Sequence, residues 1–272
     1  MKNALVALLL ALAVPSLAGA ADPPLTEKTW TVDGLERKAL VHAPVAATTA
    51  ATTTAAPLVF AFHGHGGSMK NAAERFALHK LWPEALVVYM QGLPVAGITD
   101  PEGKLPGWQK APGDEGDRDL HFFDAVLASM KKDAKVDEKR IFVMGHSNGG
   151  AFTYLLWATR GSVFAAVAPA AAAPGRAFFR DLKPMPALHV SGEKDEIVSF
   201  ALQKRTMEFV RRLDGCDAAG KPWATSGSLV GTLFPSSTGT PFVSVVYPGP
   251  HKLPDEAPAL IVKFFKESPG KR

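Results

Sequence analysis

A single cysteine, Cys216, stands in the 272-residue chain, so the chain can form no disulfide within itself. A packed core must hold it together, and a chain of this length can bury enough apolar surface to do so. No apolar run reaches the ~20 residues needed to span a bilayer as a helix; the most obvious one, residues 4–14, has eleven. No block of Lys or Arg is present either. The 30 basic residues face 26 acidic ones for a net +4, and "VRRLDG" and "MKKDAK" read as solvated helix faces, which argues against a nucleic-acid partner. There is no internal repeat and no linker that would mark a domain boundary.

The N-terminus reads as an export leader. Lys2 supplies the positive end, residues 4–14 the apolar stretch, and Ala18-Gly19-Ala20 a small-residue cleavage site. Cleavage after Ala20 leaves one domain over 21–272 and removes Lys2, so +4 becomes +3. No cysteine follows the cleavage site to take a lipid anchor. The expected location is secreted or periplasmic, without stable membrane insertion. Residues 45–57 form an Ala/Thr-rich tract, expected as a surface loop.

"TWTVDGLERKALVHAP" reads as two strands joined at Asp33-Gly34. Beyond it, short apolar runs alternate with helix-like segments. Strand candidates are "PLVFAFHG", "EALVVYMQG", "RIFVMG", "FAAVAPA", "PALHVSGE" and "FVSVVYPG". Helices are expected over Ser68–Leu81, Asp119–Lys135, after "GHSNGG", and over "EAPALIVKFFKE". A Gly/Pro-rich loop separates two of these units at 93–117. Strands alternating with helices predict a mostly parallel sheet of about eight strands covered on both faces.

The chemistry gathers around "VMGHSNGGAF", residues 143–152. A β-rich run ends at the motif and a helical pattern starts directly after it, the strand–turn–helix that presents a nucleophilic serine. Gly145 and Gly149 allow strand and helix to approach where a Cβ would clash. A serine hydroxyl needs a base, and the base an orienting acid. In such a sheet both arrive on loops after later strands. "HVSGEKDEIVSF" brings an acidic cluster, of which Asp195 stands three residues beyond Gly192; Glu193 and Glu196 are alternatives. "VVYPGPHKLP" brings His251. The other histidines, 42, 63, 65, 79, 121, 146 and 189, precede Asp195, so only His251 completes the order Ser147, Asp195, His251 of an α/β-hydrolase.

The attacked carbonyl becomes an oxyanion and requires fixed N–H donors. The Gly-rich turn in "FAFHGHGGS" makes the backbone amide of His65 one candidate, and that of Asn148 is the other. A metal site on His63-x-His65 is the rival reading, but the sequence nearby offers no further ligands to complete it. No cofactor is expected.

"HGHGG", "GW" at 107–108, "DRDLHFFDAVLASMKKDAKVDEKRIFVMGHSNGG", "SGEKDEIV" and "GPH" resemble the secreted polyhydroxybutyrate depolymerase and feruloyl esterase group of α/β-hydrolases over about residues 35–267. The resemblance implies a carboxylic ester hydrolase with Ser147, Asp195 and His251 as its triad. Two departures stand out. Members often bridge the cysteine of "LDGC" to a second one, and Cys216 has no such partner, so the loop 215–240 is expected to be mobile or rebuilt. Members also often carry an aromatic beside the histidine, where this chain reads "PGPHKLPDEAP". Trp108, in the 93–117 loop, is either a substrate-stacking platform at the site's rim or a loop anchor. The expected partner is an ester, small or polymeric. A serine peptidase on the same fold and a binding module without turnover are the alternatives, and the oligomeric state is open.

Overall fold

The computed structural model describes residues 22–48 and 54–271. The leader at 1–20 and the middle of the Ala/Thr tract lie outside the described residues. The tract's flanks are structured: residues 45–48 form one helical turn, α1 (Val45–Thr48), and 56–57 open the next strand.

Among the described residues, ten strands form one sheet. In chain order they are β1 (Thr26–Val32), β2 (Leu35–His42), β3 (Ala56–Phe62), β4 (Leu86–Met90), β7 (Val136–His146), β8 (Ala166–Ala170), β9 (Ala187–Gly192), β10 (Lys221–Ser226), β11 (Leu229–Phe234) and β12 (Phe242–Tyr247). A separate two-residue ribbon, β5 (Leu93–Pro94) with β6 (Pro106–Gly107), crosses the 93–117 loop. The sheet runs β1-β2-β4-β3-β7-β8-β9-β12-β11-β10. Pairing is parallel from β4 through β12 and antiparallel at both ends.

The first hairpin turns at Asp33-Gly34, where both residues have positive φ (51° and 77°), the geometry that matches the twist of two paired strands. The count exceeds eight because the 215–240 segment is not a loop. It carries the hairpin β10–β11, which turns at Gly227 (φ 55°) and extends the sheet beyond β12.

The helices are α2 (Met69–Phe76), α3 (Leu78–Leu81), α4 (Arg118–Asp133), α5 (Asn148–Arg160), α6 (Phe200–Leu213) and α7 (Ala257–Glu267). The stretch expected as one helix from 68 to 81 breaks at Ala77, which takes a left-handed φ of 45°. The Ser68 side chain caps α2 by accepting the Asn71 N–H.

Strand periodicity sorts the core into two layers. On β3, Leu58, Phe60 and Phe62 face the layer of α4 and α5, where Phe60 meets Phe123 and Phe62 meets Phe152; Val210 of α6 belongs to the same layer. Val59 and Ala61 face the other way, with Phe76 of α2 and Ile261 and Phe265 of α7. The central strands are buried on both faces and therefore read as unbroken apolar runs. This arrangement aligns the C-terminal ends of β3, β7, β9 and β12 along one edge.

Candidate active site

β7 ends at His146 and α5 begins at Asn148, leaving Ser147 alone in the turn with φ 57° and ψ −121°. A non-glycine residue in this conformation is strained, and the surroundings must hold it there. The Ser147 N–H donates to the Ala170 carbonyl at 2.9 Å, and the Ala151 N–H donates to the Ser147 carbonyl at 2.9 Å. The glycines explain how the turn closes. A Cβ on Gly145 would lie 2.2 Å from the Gly149 carbonyl oxygen, and one on Gly149 would lie 2.3 Å from that of Phe62. Both contacts are far inside van der Waals distance, so only glycine fits.

Asp195 follows β9 in a tight acid turn. Its Oδ1 accepts the backbone N–H groups of Ile197 (2.9 Å) and Val198 (2.8 Å). Its Oδ2 lies 2.8 Å from His251 Nδ1, and His251 Nε2 lies 2.7 Å from Ser147 Oγ. A carboxylate only accepts, so Nδ1 carries the proton and Nε2 is free to accept from the serine hydroxyl. Glu193 and Glu196 are exposed and stand outside this chain of bonds.

His251 sits in the loop after β12. The Tyr247 hydroxyl donates to the Pro250 carbonyl at 2.7 Å, and the Lys194 N–H donates to the Gly249 carbonyl at 3.0 Å. A Cβ on Gly192 would lie 2.4 Å from the Gly249 oxygen, so the acid and histidine loops are pressed together.

The opposite flank of Ser147 is made of backbone. Among the described residues, neither the His65 nor the Asn148 amide has a protein acceptor, and both residues line the cleft beside Ser147. The side chains around them are braces. His63 Nδ1 donates to the Gly64 carbonyl (2.7 Å), and its Nε2 accepts the Gly92 N–H (3.0 Å). His65 Nε2 donates to the Val95 carbonyl at 2.8 Å. With both ring nitrogens of His63 engaged by main chain, the His63-x-His65 pair is built as a brace rather than a ligand pair.

Trp108 is placed differently from the rim platform considered for it. It is fully buried against Phe62 and Phe152, and its indole N–H donates to the His63 carbonyl at 2.8 Å. It anchors the loop and does not line the cleft. The Asn148 side chain clamps the same residue: Oδ1 accepts the Trp108 N–H (2.7 Å) and Nδ2 donates to the Trp108 carbonyl (3.0 Å).

A buried network steadies the rest of that loop. Arg37 pairs with Asp119 at 2.6 Å, and the other Asp119 oxygen accepts the Gln109 N–H at 2.8 Å. The sequence reading missed these partners.

Burial holds the His146 imidazole down to about 3, with the nearby His251 as a lesser cause. The two rings lie 5.2 Å apart, so a neutral His146 places no cation beside His251. The cleft over Ser147 has a volume of about 770 Å³. Ile98, Ile197 and Leu202 give it an exposed apolar rim, and Arg75, Lys110 and Arg176 face only Glu196 among its charged lining.

The sheet and the serine turn are those of the α/β-hydrolase fold. A match to the Prolyl oligopeptidase family covers residues 108–175, which include the serine turn. The fold matches an acetyl xylan esterase from Aspergillus awamori (TM-score 0.66, 13% identity, 89% of this chain and 99% of that one). It also matches a ferulic acid esterase from Anaeromyces mucronatus solved with ferulic acid (TM-score 0.57, 16% identity, 92% of each chain). In sequence, the chain is 29% identical to a probable feruloyl esterase C of Aspergillus clavatus over 203 residues, 74% of this chain and 70% of that protein. It is 27% identical to feruloyl esterase C of Emericella nidulans over 196 residues, 71% of this chain and 69% of that protein. The chain thus has an α/β-hydrolase fold and is similar in sequence to feruloyl esterases.

Proposed function

We propose that the protein is a serine carboxylic ester hydrolase working through an acyl-enzyme, with Ser147, His251 and Asp195 as its triad. The observation that carries the reading is the unbroken hydrogen-bond chain from Asp195 to His251 to Ser147 at the floor of an open cleft. Ser147 Oγ attacks the ester carbonyl carbon while His251 Nε2 takes its proton. The carbonyl oxygen becomes an anion held by the His65 and Asn148 N–H groups. The C–O bond to the alcohol then breaks, and His251 returns the proton to the departing oxygen. Water, deprotonated by His251, attacks the acyl-serine; the acid leaves and Ser147 recovers its proton. Asp195 keeps the imidazole in the required tautomer and stabilises the imidazolium.

The names of the relatives support an acyl ester on polysaccharide, feruloyl or acetyl, as substrate; a polyester fits the same chemistry. The apolar rim suits an aromatic or short acyl group, and the positive lining suits an acidic carrier. The leader pattern supports export, and the single sheet supports one domain after Ala20.

A serine peptidase is the second reading, favoured by the Prolyl oligopeptidase family match, which spans a quarter of the chain. Hydrolysis of methyl ferulate and 4-nitrophenyl acetate against matched anilides separates the two. The expected result is ester turnover that Ser147→Ala lowers by about 10⁴–10⁶-fold. Ester turnover unchanged in Ser147→Ala would overturn the triad, and faster anilide cleavage would favour the peptidase.

A further inference from the structure

Behind Asp195, away from the cleft, lies a line of polar side chains that the reaction as described does not use. Gln203 on α6 and His189 on β9 are fully buried, and Tyr154 on α5 is 1% exposed. Gln203 Nε2 lies 2.9 Å from Asp195 Oδ2 and 2.7 Å from the Val198 carbonyl oxygen. Gln203 Oε1 lies 3.0 Å from His189 Nε2, and His189 Nδ1 lies 2.9 Å from the Tyr154 hydroxyl.

Chemistry fixes the direction of every bond. A carboxylate and a carbonyl only accept, so both amide hydrogens of Gln203 point at Asp195 and Val198. Its Oε1 must then accept, which places the His189 proton on Nε2. His189 Nδ1 is left bare and accepts the Tyr154 O–H. No hydrogen-bonding atom of the Gln203 amide or the His189 ring is left without a partner.

Such a line is expensive to bury, and apolar residues would fill the same space more cheaply. The strand offers the contrast: His189 stands between Leu188 and Val190 in a run that is buried throughout. Burial also holds the His189 imidazole down to about 4, so the line carries no charge of its own.

We infer that Gln203 is a positioning residue for the catalytic acid, and that His189 and Tyr154 lock the amide of Gln203 in the orientation that acid requires. Asp195 needs its Oδ2 aimed at His251. Two backbone amides hold Oδ1, and Gln203 holds Oδ2 from behind. Were the Gln203 amide reversed, its oxygen would face the carboxylate and the Val198 carbonyl, and its NH₂ would meet the His189 N–H. The carboxylate and the Val198 carbonyl oppose that reversal, and the Tyr154 O–H, given to Nδ1, stabilises the matching tautomer with the proton on Nε2. The action is through Asp195 alone, since neither Gln203 nor its two supporters reach the cleft.

The inference rests on the triad reading, and a double-mutant cycle separates the two. Steady-state kinetics on 4-nitrophenyl acetate would compare the full chain with Gln203→Met, Asp195→Ala and the double variant, with thermal melting of each. Asp195→Ala is expected to lower kcat by about 10³–10⁴-fold, leaving a measurable rate from the remaining groups. Gln203→Met should lower kcat by about 10-fold with KM within about twofold. In the Asp195→Ala background the same substitution should change kcat by less than about twofold, because its target is gone.

Tyr154→Phe, which removes one hydroxyl and keeps the ring, should lower kcat by about 2–5-fold and lose that effect in the Asp195→Ala background. It serves as the test should Gln203→Met not fold. Equal losses in both backgrounds would show a structural role only and overturn the inference. So would a folded Gln203→Met variant with unaltered kcat. An Asp195→Ala variant of full activity would instead overturn the triad itself.

Discussion

Ser147 stands between two flanks built on different plans. One is made of side chains: His251 and Asp195 form a line of hydrogen bonds from the serine inward, continued by Gln203, His189 and Tyr154. On the other, the backbone is placed to act and the side chains are scaffolding. His63, Trp108, Asn148 and the Nε2 of His65 bond to main-chain partners, which fixes the loops that carry the amides of His65 and Asn148. The difference teaches what each flank tolerates. A side-chain function is lost with its atoms, whereas a backbone function survives side-chain changes that leave the loop in place.

Substitutions can break or sharpen that contrast. The largest expected loss belongs to the triad side, where Ser147→Ala removes the proposed nucleophile outright. On the backbone side, Asn148→Ala keeps the candidate oxyanion donor and removes only the clamp on Trp108. It should lower kcat/KM by about 10-fold, less than the ~10²–10³-fold cost of removing an oxyanion donor outright, and a loss as large as that of Ser147→Ala would erase the distinction.

Trp108→Phe is milder. It deletes the bond to the His63 carbonyl, and the protein should lose about 1–3 kcal/mol in denaturant unfolding. KM should stay within about twofold of the parent, whereas a stacking platform would lose substrate affinity first.

The smallest effect is on stability against pH. Burial holds the His63 and His189 imidazoles down to about 4, with His146 lower still. Unfolded, these groups take protons near 6.5, so the unfolded chain binds more protons below that pH and stability falls as pH drops from about 6.5 toward 4. Asp214 opposes this. Burial pushes its carboxyl from 3.8 up to about 8, so its contribution is full below 3.8 and is lost as pH rises through about 8. The imidazoles outnumber it in the acid range, and it sets the slope between about 6.5 and 8, below the range in which the buried Cys216 thiol and Tyr247 hydroxyl add to the decline. Melting curves should therefore give a maximum Tm near pH ~6.5, and Asp214→Asn should flatten the decline on the alkaline side.

Much of the triad flank could be read from the chain. The glycines around Ser147 are local signals, because the turn's geometry demands them, and the order Ser147, Asp195, His251 is a long-range pattern along the chain whose members the fold brings within hydrogen-bonding distance. The parallel core was legible for a similar reason, since strands buried on both faces must be apolar throughout. The hairpin β10–β11 was not. It lies at the sheet's edge, half exposed, and "KPWATS" carries neither an apolar run nor a clean alternation. The backbone flank was half legible: "HGHGG" marks a loop that exposes amides, but nothing in it says that both histidines face inward. Trp108 could equally have stood at the rim, because an aromatic in a Gly/Pro-rich loop has no periodicity to orient it. Gln203 and Tyr154 sit among ordinary helical residues, and their role depends on packing between α5, α6 and β9. One signal was present, the polar His189 inside the apolar run "PALHVSG".

The central claim is that Ser147 is an activated nucleophile, and covalent labelling tests it most directly. The protein and its Ser147→Ala variant would be treated with a fluorophosphonate probe, and the modified peptide identified by mass spectrometry. The account predicts a single adduct on Ser147 that is missing from the variant. Folded protein that takes no label, or takes it on another residue, would contradict it.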